Sequence, residues 1–194
     1  MQLEIASYCT IMPQSVQKNG QLLLNNAAGS FAAYAKQIYH HLGTAYPKFF
    51  KMDDLCKLCF LTCEILLEGI AEAQDWEGGH VAVVLANKTS SLHTDRKHFD
   101  TIKDRHQYFP SPALFVYTLP NIMLGEICIR HKITGENTCF LMEYFDTEFF
   151  NHYVHDLFNT ENYKFCIAGW VDYQPEQYAS HLFLVRKAEK SGTE

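Results

Sequence analysis

Apolar and polar positions divide this chain into alternating runs, short continuous apolar runs and stretches of helical period. Leu3–Met12 alternates near its start (Leu3, Ile5, Ser7, Cys9, Ile11) and stops at Pro13, which predicts a strand. Ser15–Asn26 is polar and glycine-bearing and reads as a mobile loop. Phe31–Leu42 has helical period, with Ala32, Ala35, Ile38, Tyr39 and Leu42 inward. Asp53–Glu72 carries a longer apolar stripe, Leu55, Leu58, Cys59, Thr62, Ile65, Leu66 and Gly69, and Asp53 or Asp54 can cap it. Gly78–Gly79 breaks the chain. Val81–Ala86 is then a short, β-branched, continuously apolar run, the pattern of a strand covered on both faces.

Asn87–Asp95 reads as a polar turn beyond that strand, and Arg96–Gln107 as a charged surface helix. Ser111 and Pro112 form a helix start, a capping hydroxyl followed by a proline whose missing N–H is harmless in the first turn. Pro120 interrupts the period, so two segments are predicted, Ala113–Leu119 and Asn121–Lys132, meeting at a bend. On the second, Ile122, Gly125, Cys128 and Ile129 share a face, Gly125 implies a close backbone neighbour, and Gly135 ends the element. Thr138–Met142 is a short buried strand, Thr147–Phe158 a helix with Phe150, Val154, Leu157 and Phe158 inward, and Lys164–Val171 and Ser180–Arg186 close the sheet. The sum is an α/β layer with a mixed five-stranded sheet flanked by helices, one domain over 1–187 with a charged, frayed tail over 188–194.

Composition narrows the function classes. The chain has 194 residues, 47% of them hydrophobic and 14% aromatic, enough for an ordinary core. A net charge of −6 argues against a nucleic-acid footprint. No apolar run approaches the roughly 20 residues that span a bilayer, and no signal peptide is visible, so a cytoplasmic protein is expected. The seven cysteines sit in apolar segments and read as reduced thiols. Cys56, Cys59 and Cys63 stand at helical spacing. A zinc reading of C-x-x-C lacks a second Cys or His pair, so buried small hydrophobes explain them better, and neither metal nor cofactor is expected. His40 and His41 read as solvated.

The run Pro112-x-Leu114-Phe115-x-Tyr117-x-x-Pro120-Asn121-x-x-x-Gly125-Glu126-x-x-Ile129-Arg130, followed by Gly135-Glu136-Asn137, resembles the N-terminal half of β-ketoacyl synthases, of the thiolase-like fold. Val81–Asp95 (VAVVLANKTSSLHTD) is similar to that family's strand and turn, and Phe49–Leu58 (FFKMDDLCKL) to its F-x-x-M-D helix start. The resemblance covers about residues 45–145, with weaker support to about 187. It implies a nucleophilic cysteine on the turn after the Thr138–Met142 strand, where a helix dipole and backbone N–H groups activate a thiol. Here that position falls near Tyr144, beside Glu143, and no cysteine lies between Cys139 and Cys166. Glu136 stands where the family has proline. A full ketosynthase has two thiolase-like halves, and this chain resembles only the first.

Three readings follow. The first is a non-catalytic, ketosynthase-like accessory protein of a fatty-acid or polyketide-type pathway that depends on an acyl carrier protein. The resemblance then implies a homodimer, or a heterodimer with a full-length ketosynthase, pairing through Thr138, Cys139, Phe140, Leu141 and Met142, and a carrier protein as a further partner. Nucleic acid and membrane are not expected partners. The second is a small diverged acyltransferase or hydrolase using Tyr144 with Glu143, His152 or His155, although an aromatic plug filling the vacated acyl site explains Tyr144 more simply. The third is a module binding an acyl or aromatic ligand beyond the end of the Val81–Ala86 strand, with Asn87, Ser90, His93, Asp95 and Asn121 as candidate contacts.

Overall fold

Eleven of the fourteen residues of one helix, Asp54–Leu67, are buried, so the fold is built around it. The computed structural model describes residues 2–27, 29–106 and 108–188. Strands are β1 Leu3–Ile11, β2 Ser15–Lys18, β3 Gln21–Asn25, β4 Val81–Asn87, β5 Asn137–Leu141, β6 Phe165–Asp172 and β7 Ala179–Lys187. Helices are α1 Phe31–Leu42, α2 Asp54–Leu67, α3 Leu92–Asp100, α4 Pro112–Phe115, α5 Ile122–His131 and α6 Thr147–Thr160. Caps set the ends of the longer helices: Ser30 accepts from the Ala33 N–H, Asp53 from Cys56 at 2.9 Å and Asp146 from Phe149 at 2.9 Å.

The strands form one mixed sheet in the order β3-β2-β1-β7-β6-β4-β5. β4 runs parallel to both β5 and β6, while β7 is antiparallel to β6 and β1. All seven residues of β4 are buried, as a continuous apolar run between two helical layers requires. One face carries the larger core, in which Val81, Val83, Leu85, Ile167, Leu182 and Leu184 meet α1, α2 and α5. On the other face, α6 lays Phe150, Val154, Leu157 and Phe158 on Ala82, Val84, Ala86, Cys166 and Ala168. These four helix positions are the ones the period predicts.

The α/β architecture stands, but the sheet has seven strands rather than five. The five predicted strands are contiguous in it. The extra pair is the β2–β3 hairpin, formed by the stretch that reads as a loop. Its turn is Asn19-Gly20, with φ of 49° and 78°, a pair of left-handed residues that matches strand twist. The Asn19 side chain also accepts the Tyr8 N–H at 2.8 Å, fastening the hairpin to β1.

Several boundaries shift. α2 stops at Leu67, before Gly69, whose φ is 75°. α3 begins at Leu92 inside the predicted turn and ends at Asp100, seven residues before Gln107. The chain bends at Pro120 as expected, by 96° between 112–118 and 122–131. α5 turns a different face inward: Met123, Leu124, Glu126 and Ile127 are buried, while Ile129 is 65% exposed. Gly125 has no neighbour within 4 Å of where a Cβ would stand, so it marks no close approach. α5 ends at Lys132 in the left-handed conformation, and Gly135 instead abuts the Val81 carbonyl. Ala32, predicted inward, is exposed. Residues 189–194, most of the predicted tail, lie outside the described residues.

Candidate functional site

The carboxyl ends of β4, β5 and β6 gather most of the candidate residues. Asn87 ends β4 fully buried. Its amide donates to the Val171 carbonyl at 3.0 Å, and its oxygen accepts the Ser90 N–H. Ser90 completes this turn at φ 54°. Asp172, at the end of β6, accepts from the Lys88 N–H at 3.2 Å and from both the Thr89 N–H and hydroxyl at 2.8 Å. The turn is closed on itself by these bonds, and Asn87 has no free polar atom to offer a ligand.

His93 and Asp95 belong to α3 rather than to the turn. His93 stands 3.6 Å from the Asp54 carboxylate and packs edge-on to Tyr173. Burial first, and then the neighbouring Lys97, push its pKa down. Thr94 between them donates to Asp53 at 2.6 Å, tying α3 to the start of α2. Asp95 accepts from Ser91 at 3.2 Å, and Ser91 shares its hydroxyl with the Thr118 carbonyl. Asn121 is exposed at the start of α5 and makes no side-chain cap. The five ligand candidates therefore fall into three separate settings, each with a local structural role or in open solvent.

Tyr144 is 69% exposed, so it plugs no acyl site. Glu143 beside it pairs with Lys88. The aromatic that turns inward is Phe145, 4.6 Å from Phe150 and stacked at 6.4 Å on Phe183. The turn carries no thiol, and the thiols elsewhere are disfavoured as thiolates. Burial pushes Cys139 and Cys128 up to about 11 and Cys9 to about 12. Burial also raises Cys56, Cys59, Cys63 and Cys166. A nucleophilic cysteine needs the opposite shift.

The predicted interface strand is β5. It is half-buried rather than buried, because it forms one edge of the sheet and, among the described residues, pairs only with β4. Cys139 lies 3.8 Å from the Pro120 carbonyl, which brings the bend before α5 against this edge. Leu141 on the strand and Tyr144 after it are exposed, and so are Phe115, Val116 and Leu119 in the segment that leads into the bend. His98 packs on Phe115 and ties that segment to α3, where Phe99 is exposed, and the N–H of Phe109, 77% exposed, bonds back to the Thr101 carbonyl. The aromatic positions at Phe99, Tyr108, Phe109 and Phe115 were not legible as a surface. The signal that could have found them is the apolar Phe109 and Phe115 flanking the Pro110–Pro112 turn.

Among the described residues no helix is long and apolar enough to cross a membrane, although 112–118 and 122–131 would pass together but for their bend. No group of three or more metal-ligating side chains gathers among them.

No family model and no curated protein matches this chain. Solved structures do. One is described as the ishigamide ketosynthase/chain length factor, with a TM-score of 0.70 at 16% identity over 97% of this chain and 63% of that one. A second is a ketosynthase (ApeO) in complex with its chain length factor (ApeC) from Xenorhabdus doucetiae, TM-score 0.62 at 11% identity, over 97% of this chain and 80% of that one. A third is a type II polyketide synthase acyl carrier protein in complex with its ketosynthase, TM-score 0.64 at 9% identity, over 96% and 62%. This chain thus spans less than two thirds of the first and third. Identities this low carry the fold alone, and the fold is that of the thiolase-like ketosynthases and chain length factors.

Proposed function

We propose that this chain is a non-catalytic, ketosynthase-like accessory subunit that pairs with a full-length ketosynthase in a fatty-acid or polyketide-type pathway. The observation that carries this reading is the open edge strand β5. Among the described residues its outer N–H and C=O groups face no neighbouring strand, Leu141 on it and Tyr144 just after it are exposed, and such an edge is a template for another chain. Thr138, Cys139, Phe140, Leu141 and Met142 form the centre of the proposed contact. Two of the neighbouring folds come from descriptions that pair a ketosynthase with a chain length factor, and the matched Xenorhabdus chain is only modestly longer than this one. The non-catalytic part of the proposal is supported by the turn at Glu143–Asp146, which offers no thiol, and by the raised pKa of the thiols elsewhere. An acyl carrier protein would reach such a complex through its ketosynthase, as one neighbour is described with both.

The test is co-expression with a ketosynthase and carrier protein from the same source, followed by light scattering on a sizing column. A stable mixed complex is expected, lost when Leu141→Arg places a charge on the strand. A chain that stays alone with both proteins present would sink the proposal.

A further inference from the structure

Among the described residues, one helix covers the second face of the sheet. α6 lies over β4 and β6, and the adjoining strip of β7 and β1 is left open. A groove of about 450 Å³ results. Leu3, Ile5, Ala168, Phe183 and Val185 line it from the strands, and Phe145, stacked on Phe183, lines it too. This volume lies within the roughly 300–1,000 Å³ of small-molecule sites, which are mostly apolar with a few placed polar groups.

Three uncharged polar or imidazole side chains share one wall. Thr147, Asn151 and His155 line the groove at four-residue intervals on α6, a rim of about 12 Å at the rise of an α-helix. Thr147 and Asn151 are exposed and His155 is half-buried, and all three are open to a ligand from the groove side, with no hydrogen-bond partner among the described residues. The one carboxylate in the lining, Glu4, is held by Arg186 at 2.7 Å and so repels an anion less than a free one would. Thr147 stands in the first turn of α6, at the positive end of the helix dipole, which favours an electron-rich group.

We infer that this groove binds a small, elongated amphiphile, with its apolar body on the β1–β7 floor and a hydrogen-bond-accepting head against Thr147, Asn151 and His155. The site is separate from the self-satisfied turn at Asn87–Ser90 and from the β5 surface, and it does not depend on the partner reading. A free carboxylate and an ester carbonyl share the required chemistry, and two probes separate them.

The full chain is titrated calorimetrically with decanoic acid and, separately, with methyl decanoate. Saturable binding of one molecule per chain is expected for at least one probe. Ile5→Arg, at an exposed position on the floor, should weaken it by ~tenfold or more. Asn151→Ala with His155→Ala should weaken the acid more than the ester if the carboxylate is the head recognised, and both alike if a carbonyl suffices. Leu141→Arg should leave it unchanged. Thermal melting of each variant checks folding, with Phe183→Ala as a second floor variant. Failure to saturate with either probe overturns the inference, as does binding indifferent to both floor variants. Binding by the free chain that disappears in a mixed complex with a ketosynthase would assign the groove to that partner and overturn it equally.

Discussion

Glu64 on α2 is the residue on which two other segments of the chain converge. Arg130 holds it with two nitrogens, each at 2.9 Å, His131 approaches at 3.0 Å and Thr44 donates at 3.2 Å. Arg130 also lies over the Tyr46 ring. Burial alone would raise the Glu64 carboxyl, but hydrogen bonds from His131 and Arg130, with their charges, outweigh it and hold the pKa at about 2. Its ordinary value is 4.5, so the folded value is the depressed one. The stabilisation is therefore present in full above pH 4.5 and is lost as pH falls toward 2. Glu64→Gln should lower stability at pH 7 by about 2–3 kcal/mol, less than the ~3–5 of a fully buried pair because Arg130 keeps contact with water. In urea titrations across pH, the gap between wild type and variant should close below pH 4.5. A gap that stays constant to pH 2 would remove the charge from the explanation. Arg130 stood out in the sequence as part of a motif, but that it reaches back 66 residues to Glu64 is a fact of packing alone. Glu126 is the same case. It breaks the apolar pattern of α5, yet it is buried because Lys48 reaches it at 2.7 Å and Tyr117 donates to it at 3.3 Å.

Elements were legible where one physical signal dominated. α1 and α6 carry a capping side chain and a single apolar stripe, and the sequence places both within two residues. The hairpin was missed because β2 and β3 are only four and five residues long and half exposed, so alternation had little length in which to show; Asn19-Gly20 was its one clear mark. α5 failed differently. It has apolar residues on every side, Ile122 and Ile129 as well as Met123, Leu124 and Ile127, so period alone left the phase open. Two glycines test that phase. Gly125 has free space where a Cβ would stand, so Gly125→Ala should stabilise the protein by about 0.5–1 kcal/mol through helix propensity. At Gly135 a Cβ would stand 2.3 Å from the Val81 carbonyl and 2.8 Å from the Tyr163 ring, so Gly135→Ala should destabilise by about 1–3 kcal/mol. Denaturant midpoints of opposite sign would fix both assignments, and the reverse order would refute them.

At the scale of the whole molecule the sheet has two edges that differ in kind. β3 ends in a polar hairpin, with Gln21 and Asn25 exposed. β5 is short, pairs in parallel with β4 and carries the exposed Leu141. Edge strands of soluble chains are ordinarily blunted by charge, proline or a covering element, and from Asn137 to Leu141 there is neither charge nor proline. The candidate site was legible to this extent: the sequence placed the strand that proves to be the sheet edge to within one residue. What it could not show was which edges the fold leaves open, since strand order is set by contacts between β1, β6 and β7 far apart in the chain. The two edges give a test that does not depend on substitutions. In hydrogen exchange, the outward amides of residues 137–141 should exchange fast in the isolated chain and slow by ~tenfold or more in a complex with a ketosynthase, because strand addition pairs them directly. Those of β4, already bonded on both sides, and of β3, at the far edge, should not change. Protection at β3 with none at β5 would move the partner to the hairpin. Protection at neither edge would mean contact through the aromatic surface of α3 and α4 without strand pairing, and Phe109 and Phe115 would then replace Leu141 as the positions to charge.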